Sequence, residues 1–235
     1  MRTLQELGAE VAARRRALGL KQLERVFIVG FRDDLEIEWS FPTPTHSHDA
    51  LLYDQWVTGG YWRRHGITPP KTPIKLAARV AKLAQTNRPP ATLPWRTVRD
   101  AIQGLPDPQS RMALQVPNHL FQPGARVYPG HTGSPLDLPA KTLKAGGHGV
   151  PGGENMLVKD DGSVRYFTIR ESARIQTFPD GFRFHGSWTE TMRQLGNAVP
   201  VVLAQRVATS VAEKLILAEL NRLEKANQGI KRKRA

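Results

Sequence analysis

Residues 168–181 read TIRESARIQTFPDG, and this stretch predicts a short helix with a clear end. The helical pattern covers Thr168–Thr177. It stops at Phe178-Pro179-Asp180-Gly181, because proline cannot continue a helix and Asp-Gly favours a turn. Arg170 and Arg174 lie four residues apart, so they share one face of this helix.

Further helices are predicted on both sides of this stretch. Downstream, Ser187 can cap a helix over Trp188–Leu195, and Val199–Leu223 is the longest amphipathic segment. Upstream, Ile74–Gln85 has a helical pattern of apolar residues, and Thr97–Gln103 can form a short capped helix. The two ends of the chain and a few short pieces between them are therefore predicted to be regular.

Proline and glycine are concentrated in the middle of the chain. Sixteen of the 18 prolines lie between Pro42 and Pro151, and residues 121–162 contain nine glycines. Since proline breaks helix interiors and central strands, we expect a loop-rich middle with short strands. Near the N-terminus, residues 3–17 predict an amphipathic helix, and the apolar run Arg25–Phe31 predicts a buried strand.

The charge balance points to a polyanionic partner. Lys and Arg number 34 against 21 Asp and Glu, which gives a net charge of +13. Nucleic acid is the first candidate partner, and a basic surface that only maintains solubility is the alternative. The chain has no apolar run near the roughly 20 residues that cross a bilayer. Its N-terminus lacks the apolar core of a secretory signal. We therefore expect a cytoplasmic protein without membrane contact.

The chain contains no cysteine. This excludes a disulfide framework, cysteine-containing zinc sites and a thiolate nucleophile from these 235 residues. The histidines have no paired acid at metal-ligand spacing, so no metal site is expected.

Three blocks of the sequence resemble motifs of the DNA (cytosine-5) methyltransferases. Ile169–Asp180 resembles motif IX, Arg193–Pro200 (RQLGNAVP) resembles motif X, and Glu24–Arg32 resembles motif VIII. The blocks follow the family's order, and a variable Gly/Pro-rich stretch lies where that family carries its target recognition region. In motif VIII an alignment fixed on Arg25 keeps only the last residue of Gln-x-Arg-x-Arg and puts Lys21 and Leu23 at the first two positions. A shift by one residue restores Gln22 but still loses the middle Arg.

The resemblance implies an α+β protein in which an irregular target recognition domain is flanked by parts of an incomplete α/β catalytic domain. On this interpretation residues 1–36 are a helix and strand of the catalytic domain, and residues 40–186 are the target recognition domain including motif IX. Residues 187–225 are then a hinge and the motif X helix, and residues 226–235 are a basic tail.

The resemblance also assigns roles to individual residues. Arg25 would contact the target cytosine, although an ordinary arginine at a strand end is an equal alternative. The motif X turn would form one wall of the methyl-donor pocket, and Asn197 can also simply cap the helix that follows. The wall residues are Asn197, Ala198 and Val199. In motif IX, the residues with a predicted structural role are Arg170, Glu171 and Arg174.

Candidate DNA contacts cluster in the middle of the chain. The segment Ala140–Gly149 (AKTLKAGGHG) resembles the Thr-Leu element and the glycine-rich loop of the recognition region. Lysines there can offset phosphate charge, and glycines allow close approach to a base pair. The predicted DNA-binding residues are Arg126, Lys141, Thr142, Lys144, Gly146, Gly147 and Arg165.

Other family blocks are absent from the sequence. The chain has no Phe-x-Gly-x-Gly donor motif, no Pro-Cys-Gln nucleophile and no Glu-Asn-Val acid. Since the reaction needs a thiolate that adds to cytosine, the chain alone is not expected to methylate DNA. One hypothesis is a recognition subunit that pairs with a second polypeptide, binds duplex DNA and uses S-adenosylmethionine in the complete enzyme. The alternative is a truncated or degenerate DNA-binding remnant without enzymatic activity.

Overall fold

The computed structural model describes residues 27–86, 88–145 and 155–234. The chain divides into two compact units, one of residues 40–213 and one of residues 1–39 with 214–235. The described residues combine helices with two small sheets, so the α+β class is confirmed. Among the described helices, none is both long and apolar enough to cross a membrane.

The elements of the described chain are short except for the last helix. The helices are α1 (His48–Leu52), α2 (Gly60–His65), α3 (Ile74–Gln85), α4 (Val98–Ile102), α5 (Ile169–Ile175), α6 (Trp188–Asn197) and α7 (Val201–Arg234). The strands are β1 (His46–Ser47), β2 (Leu93–Pro94), β3 (Ser134–Pro135), β4 (Met156–Val158) and β5 (Val164–Tyr166).

The strands form two separate sheets. β1 pairs with β2 in parallel, with His46 opposite Leu93. In the second sheet β4 is central, parallel to β3 and antiparallel to β5, with Leu157 opposite Arg165. Both sheets lie in the larger unit, and their short strands agree with the loop-rich middle that the prolines predicted.

Local capping signals set the starts of three helices. The hydroxyls of Thr97, Thr168 and Ser187 each accept a hydrogen bond from a backbone N–H three residues on. At Thr97 and Thr168 an acidic side chain at the third helical position bonds back to the cap, which completes a capping box. These starts, and the bounds of α3, agree with the sequence predictions.

One apolar core joins the elements that the sequence analysis singled out. It combines residues of α4, β4, α5 and α6 with Leu143 and Phe167 from the connecting segments. Its buried members are Val98, Leu143, Leu157, Phe167, Ile169, Ala173, Met192 and Leu195. α5, which carries motif IX, and α6, which carries the first residues of motif X, are therefore packed on the same core as Leu143 of the Thr-Leu element.

A second apolar cluster lies beside α2 in the same unit. Leu51, Tyr61 and Trp62 are buried there. The Tyr61 hydroxyl lies 2.8 Å from Oδ1 of Asp137 and 2.9 Å from Oγ1 of Thr97 at the start of α4. Burial raises the pKa of Tyr61 well above its usual value, so the side chain stays neutral where it contacts Asp137 and Thr97.

Two predictions for the smaller unit are corrected. Residues 27–31 form no strand, and Ile28 is 58% exposed. A strand forms only beside another strand, and no strand of the described residues pairs with this run. The long helix, predicted to end at Leu223, continues to Arg234, since Lys, Arg, Glu and Ala are all good helix formers. The predicted helix over residues 3–17 lies outside the described residues.

Candidate functional site

Arg170 of α5 holds three separate segments of the chain together. Its side chain is fully buried and donates from Nε to the Pro117 carbonyl (3.0 Å). Its other two nitrogens donate to the carbonyls of Pro179 (3.3 Å) and Phe182 (2.8 Å). The backbone N–H of Arg170 also donates to the Asn118 carbonyl (2.8 Å). All of these acceptors are backbone groups, so Arg170 fixes loop positions and is not exposed to a substrate.

The other two charged residues of α5 also bind within the protein. Glu171 is 1% exposed and accepts hydrogen bonds from Arg165 at 2.7 and 2.5 Å. Arg174 donates two hydrogen bonds to Asp180 at 2.8 and 2.7 Å. These bonds lower the pKa of Asp180 below its usual value. Together with Arg170, these contacts give the motif IX helix the arrangement expected of an architectural element.

Arg165 was predicted to bind DNA, and the structure places it in the ion pair with Glu171. Its side chain is only 11% exposed, and both terminal nitrogens bond the carboxylate. An arginine that is neutralised in this bidentate way offers little charge to a phosphate. The geometry therefore favours a structural role for Arg165.

Lys141 and Arg126 lie on an exposed surface beside a tight turn. In that turn Tyr128 and His131 exchange two backbone hydrogen bonds, and their rings lie 4.3 Å apart. Lys141 Nζ donates to the hydroxyl of Thr132, next to the turn (2.8 Å). Both cations are exposed, which suits them to contact phosphate.

The Thr-Leu element is anchored at its apolar residue. Leu143 is 3% exposed and belongs to the main core, whereas Thr142 is exposed. The Lys141 backbone N–H donates to the Ser134 hydroxyl at the start of β3 (3.0 Å). Leu143 and the Lys141 backbone thus hold the element in place, and the side chains of Lys141 and Thr142 are exposed to solvent. Gly146 and Gly147, like Arg25, lie outside the described residues.

Asn155 is a site residue that sequence reasoning did not identify. Its side-chain amide accepts from the Lys144 N–H and donates to the Lys144 carbonyl, both at 3.3 Å. It is 1% exposed, and its own carbonyl accepts from the Phe167 N–H (2.9 Å). Its partner lies eleven residues away across the glycine-rich segment, so no local sequence pattern indicates the contact.

The motif X turn differs from its prediction. Asn197 is the last residue of α6 and does not cap the next helix, because the Ala198 N–H still bonds the Gln194 carbonyl (2.9 Å). Pro200 has no N–H and disfavours helical geometry at the residue before it. The following helix therefore starts at Val201 and not at Val199.

Motif IX supplies the hydrogen bonds of the motif X turn. Gln176 donates its side-chain amide to the Leu195 carbonyl (2.7 Å), and its own carbonyl accepts from the Val201 N–H (3.0 Å). The Thr177 hydroxyl accepts from the Val202 N–H (2.9 Å). The backbone N–H groups of Val201 and Val202 at this helix start are therefore not free.

The resemblance assigns Asn197, Ala198 and Val199 to one side of a site for the methyl donor, S-adenosylmethionine. Asn197 and Val199 are exposed, so their side chains can contact a ligand. The N–H groups of Val201 and Val202 are already bonded within the protein. These two N–H groups are therefore not available to a ligand. In the described part of the chain, no group of three or more potential metal ligands converges.

Comparison with known proteins places the chain in a family. A family model of C-5 cytosine-specific DNA methylases matches residues 18–213. Type II methyltransferase M.NgoFVII of Neisseria gonorrhoeae is 31% identical over 190 residues, covering 80% of this chain and 45% of that protein. Type II methyltransferase M.MthTI of Methanothermobacter thermautotrophicus is 28% identical over 217 residues, covering 82% and 52%.

The chain spans about half the length of these curated relatives. The match includes motif IX, the Thr-Leu element and motif X, the same three parts that share the main core. On the extent of that match, the chain belongs to the C-5 cytosine-specific DNA methylase family.

Proposed function

We propose that this chain is the target-recognition part of a DNA (cytosine-5) methyltransferase, which methylates cytosine in duplex DNA. The proposal rests on one observation: Leu143 of the Thr-Leu element shares a single apolar core with α5 and α6. Arg170, Glu171 and Arg174 stabilise this arrangement through internal bonds and leave no reactive group exposed. Such a framework is suited to position a recognition surface.

The chemistry requires groups that these residues do not provide. In this reaction class a thiolate adds to C6 of a cytosine that has been flipped out of the duplex, which makes C5 nucleophilic. S-adenosylmethionine supplies the methyl group when bound. The 235 residues contain no cysteine, so they do not supply the thiolate. We propose that a second polypeptide supplies the thiolate, the acid and most of the donor pocket.

Exposed apolar side chains support an interface with such a partner. Near the start of α7, Val199, Val201, Val202 and Leu203 are 36–49% exposed. Further along the helix, a second group is 42–62% exposed, namely Leu215, Ile216, Leu217, Leu220 and Leu223. Large apolar patches on a surface mark interaction sites. The matched relatives are about twice as long as the match, and a polypeptide corresponding to their remaining half would fit this role.

The residues of this chain would then have three different roles. Arg126, Lys141, Thr142 and Lys144 would contact phosphates and groove edges, and Gly146 and Gly147 would allow close approach to a base pair. Arg25 would contact the target cytosine. Asn197, Ala198 and Val199 would form one side of the donor site.

Reconstitution tests the proposal. The chain is co-expressed with polypeptides that contain Pro-Cys-Gln and Glu-Asn-Val, and transfer of a tritiated methyl group to duplex DNA is measured. We expect transfer only with both chains, and its loss when the partner's cysteine is replaced by serine. If the folded chain never supports transfer and no partner co-purifies with it, the remnant alternative is correct.

A further inference from the structure

Gly196 of α6 lies directly against the backbone of the Thr-Leu element. A Cβ atom at this position would lie 2.3 Å from the Ala145 nitrogen, 2.6 Å from the Lys144 carbonyl carbon and 2.8 Å from the Ala145 Cα. All three are backbone atoms, so no side-chain rotation can relieve the overlap. Glycine within a helix is unfavourable relative to alanine, and the close approach explains its presence here.

Asn155 also holds this segment. It bonds both the N–H and the carbonyl of Lys144, the residue whose backbone touches Gly196. Leu143, one residue earlier, is buried in the main core. We call residues 143–145 the stem. Three contacts hold it in place: the packing of Gly196, the two hydrogen bonds of Asn155 and the burial of Leu143.

We infer that Gly196 and Asn155 are positioning residues that fix the stem against α6 and thereby determine how well the segment Ala140–Gly149 discriminates between DNA sequences. The inference rests on the proposed function. Gly196 immediately precedes Asn197, the first residue assigned to the donor side. One close packing contact therefore connects the segment that would contact DNA to the turn that would contact the donor.

The distance that the stem must move in Gly196→Ala explains why discrimination between DNA sequences should change more than affinity for DNA. To restore an ordinary contact of 3.4 Å from 2.3 Å, the stem must move by about 1 Å in a Gly196→Ala variant. Hydrogen bonds to base edges tolerate little displacement, because their donor–acceptor distances span only about 2.7–3.2 Å. Charge attraction to phosphates changes little over the same distance. Sequence discrimination should therefore fall while salt-dependent affinity is kept.

The first measurement needs only the full chain and no activity. Amide hydrogen exchange is followed at Lys144, with the Phe167 amide as an internal reference for the intact fold. We expect Gly196→Ala and Asn155→Ala to accelerate exchange at Lys144 at least tenfold and leave Phe167 protected. Gly181→Ala is the matched control, since nothing lies within 4 Å of a Cβ there. Unchanged protection of Lys144 in Gly196→Ala would overturn the inference.

The second measurement uses the reconstituted enzyme on a pool of duplexes with randomised sites. We expect Gly196→Ala to reduce the ratio of methylation at preferred over other sites by about 10- to 100-fold, and to leave the salt dependence of DNA binding unchanged. Full discrimination in this variant, or an equal loss in Gly181→Ala, would contradict the inference and leave the proposed function intact. If no partner restores activity, the proposed function fails, and the exchange result decides the claim about the stem.

Discussion

Replacing Arg170 by methionine should destabilise the larger unit by about 3 kcal/mol. The substitution keeps the apolar length of a side chain that is fully buried, and it removes donors to the carbonyls of Pro117, Pro179 and Phe182. A net contribution of about 1 kcal/mol for each hydrogen bond gives the total. For a unit of this size, the loss corresponds to a fall in melting temperature of roughly 6–12 °C.

Chemical denaturation and calorimetry measure this effect, and Arg193→Met is the matched control. Arg193 lies on the exposed side of α6 in an ion pair with Glu190, so its loss should cost less than about 0.5 kcal/mol. An Arg170→Lys variant keeps the charge, but an ammonium lacks the planar fork that reaches three carbonyls, and we expect it to recover less than half of the loss. A stability of Arg170→Met equal to that of Arg193→Met would refute the reasoning.

Three further predictions follow from the same structure. Gln176→Ala should lower the free energy of unfolding by about 1–2 kcal/mol, because the Leu195 carbonyl loses its buried donor; an unchanged urea midpoint would contradict this. Burial opposes ionisation of Asp100, yet hydrogen bonds from Thr97 hold its pKa below the usual value. Its carboxylate therefore stabilises the fold above about pH 4, and the contribution is lost as pH falls through the lowered pKa. Urea titrations at several pH values should show that Asp100→Asn flattens this acid dependence, and a slope equal to wild type would exclude it. Duplex DNA should bind the isolated chain with a dissociation constant on the order of 10⁻⁴–10⁻⁶ M, and replacing both Lys141 and Lys144 by alanine should weaken binding to all sequences alike and reduce the salt slope by about 2. Fluorescence anisotropy at several salt concentrations measures this, and tight, sequence-specific binding that barely responds to salt would overturn it.

Short-range signals in the sequence predicted several elements correctly. The starts of α4 and α6 follow from Thr97 and Ser187, because a capping side chain bonds backbone groups only two or three residues away. Thr168, predicted as the first residue of its helix, is the cap of α5. The bounds of α3 follow from an apolar repeat with proline on both sides. The family was also recognisable from the residues alone, since motifs IX and X are short continuous blocks.

The sequence by itself therefore determined the bounds or starts of several helices, the charge and the family, all of which depend on neighbouring residues or on composition. Tertiary structure alone decided which residues contact each other beyond their immediate neighbours in the chain. Arg165 has the charge of a DNA contact, and only the fold brings it to Glu171. The Asn155 side chain bonds the Lys144 backbone across a glycine-rich segment, and Gly196 of α6 lies against the backbone of Ala145. Such contacts arise from packing on a common core, which no repeat, capping signal or spacing along the chain encodes.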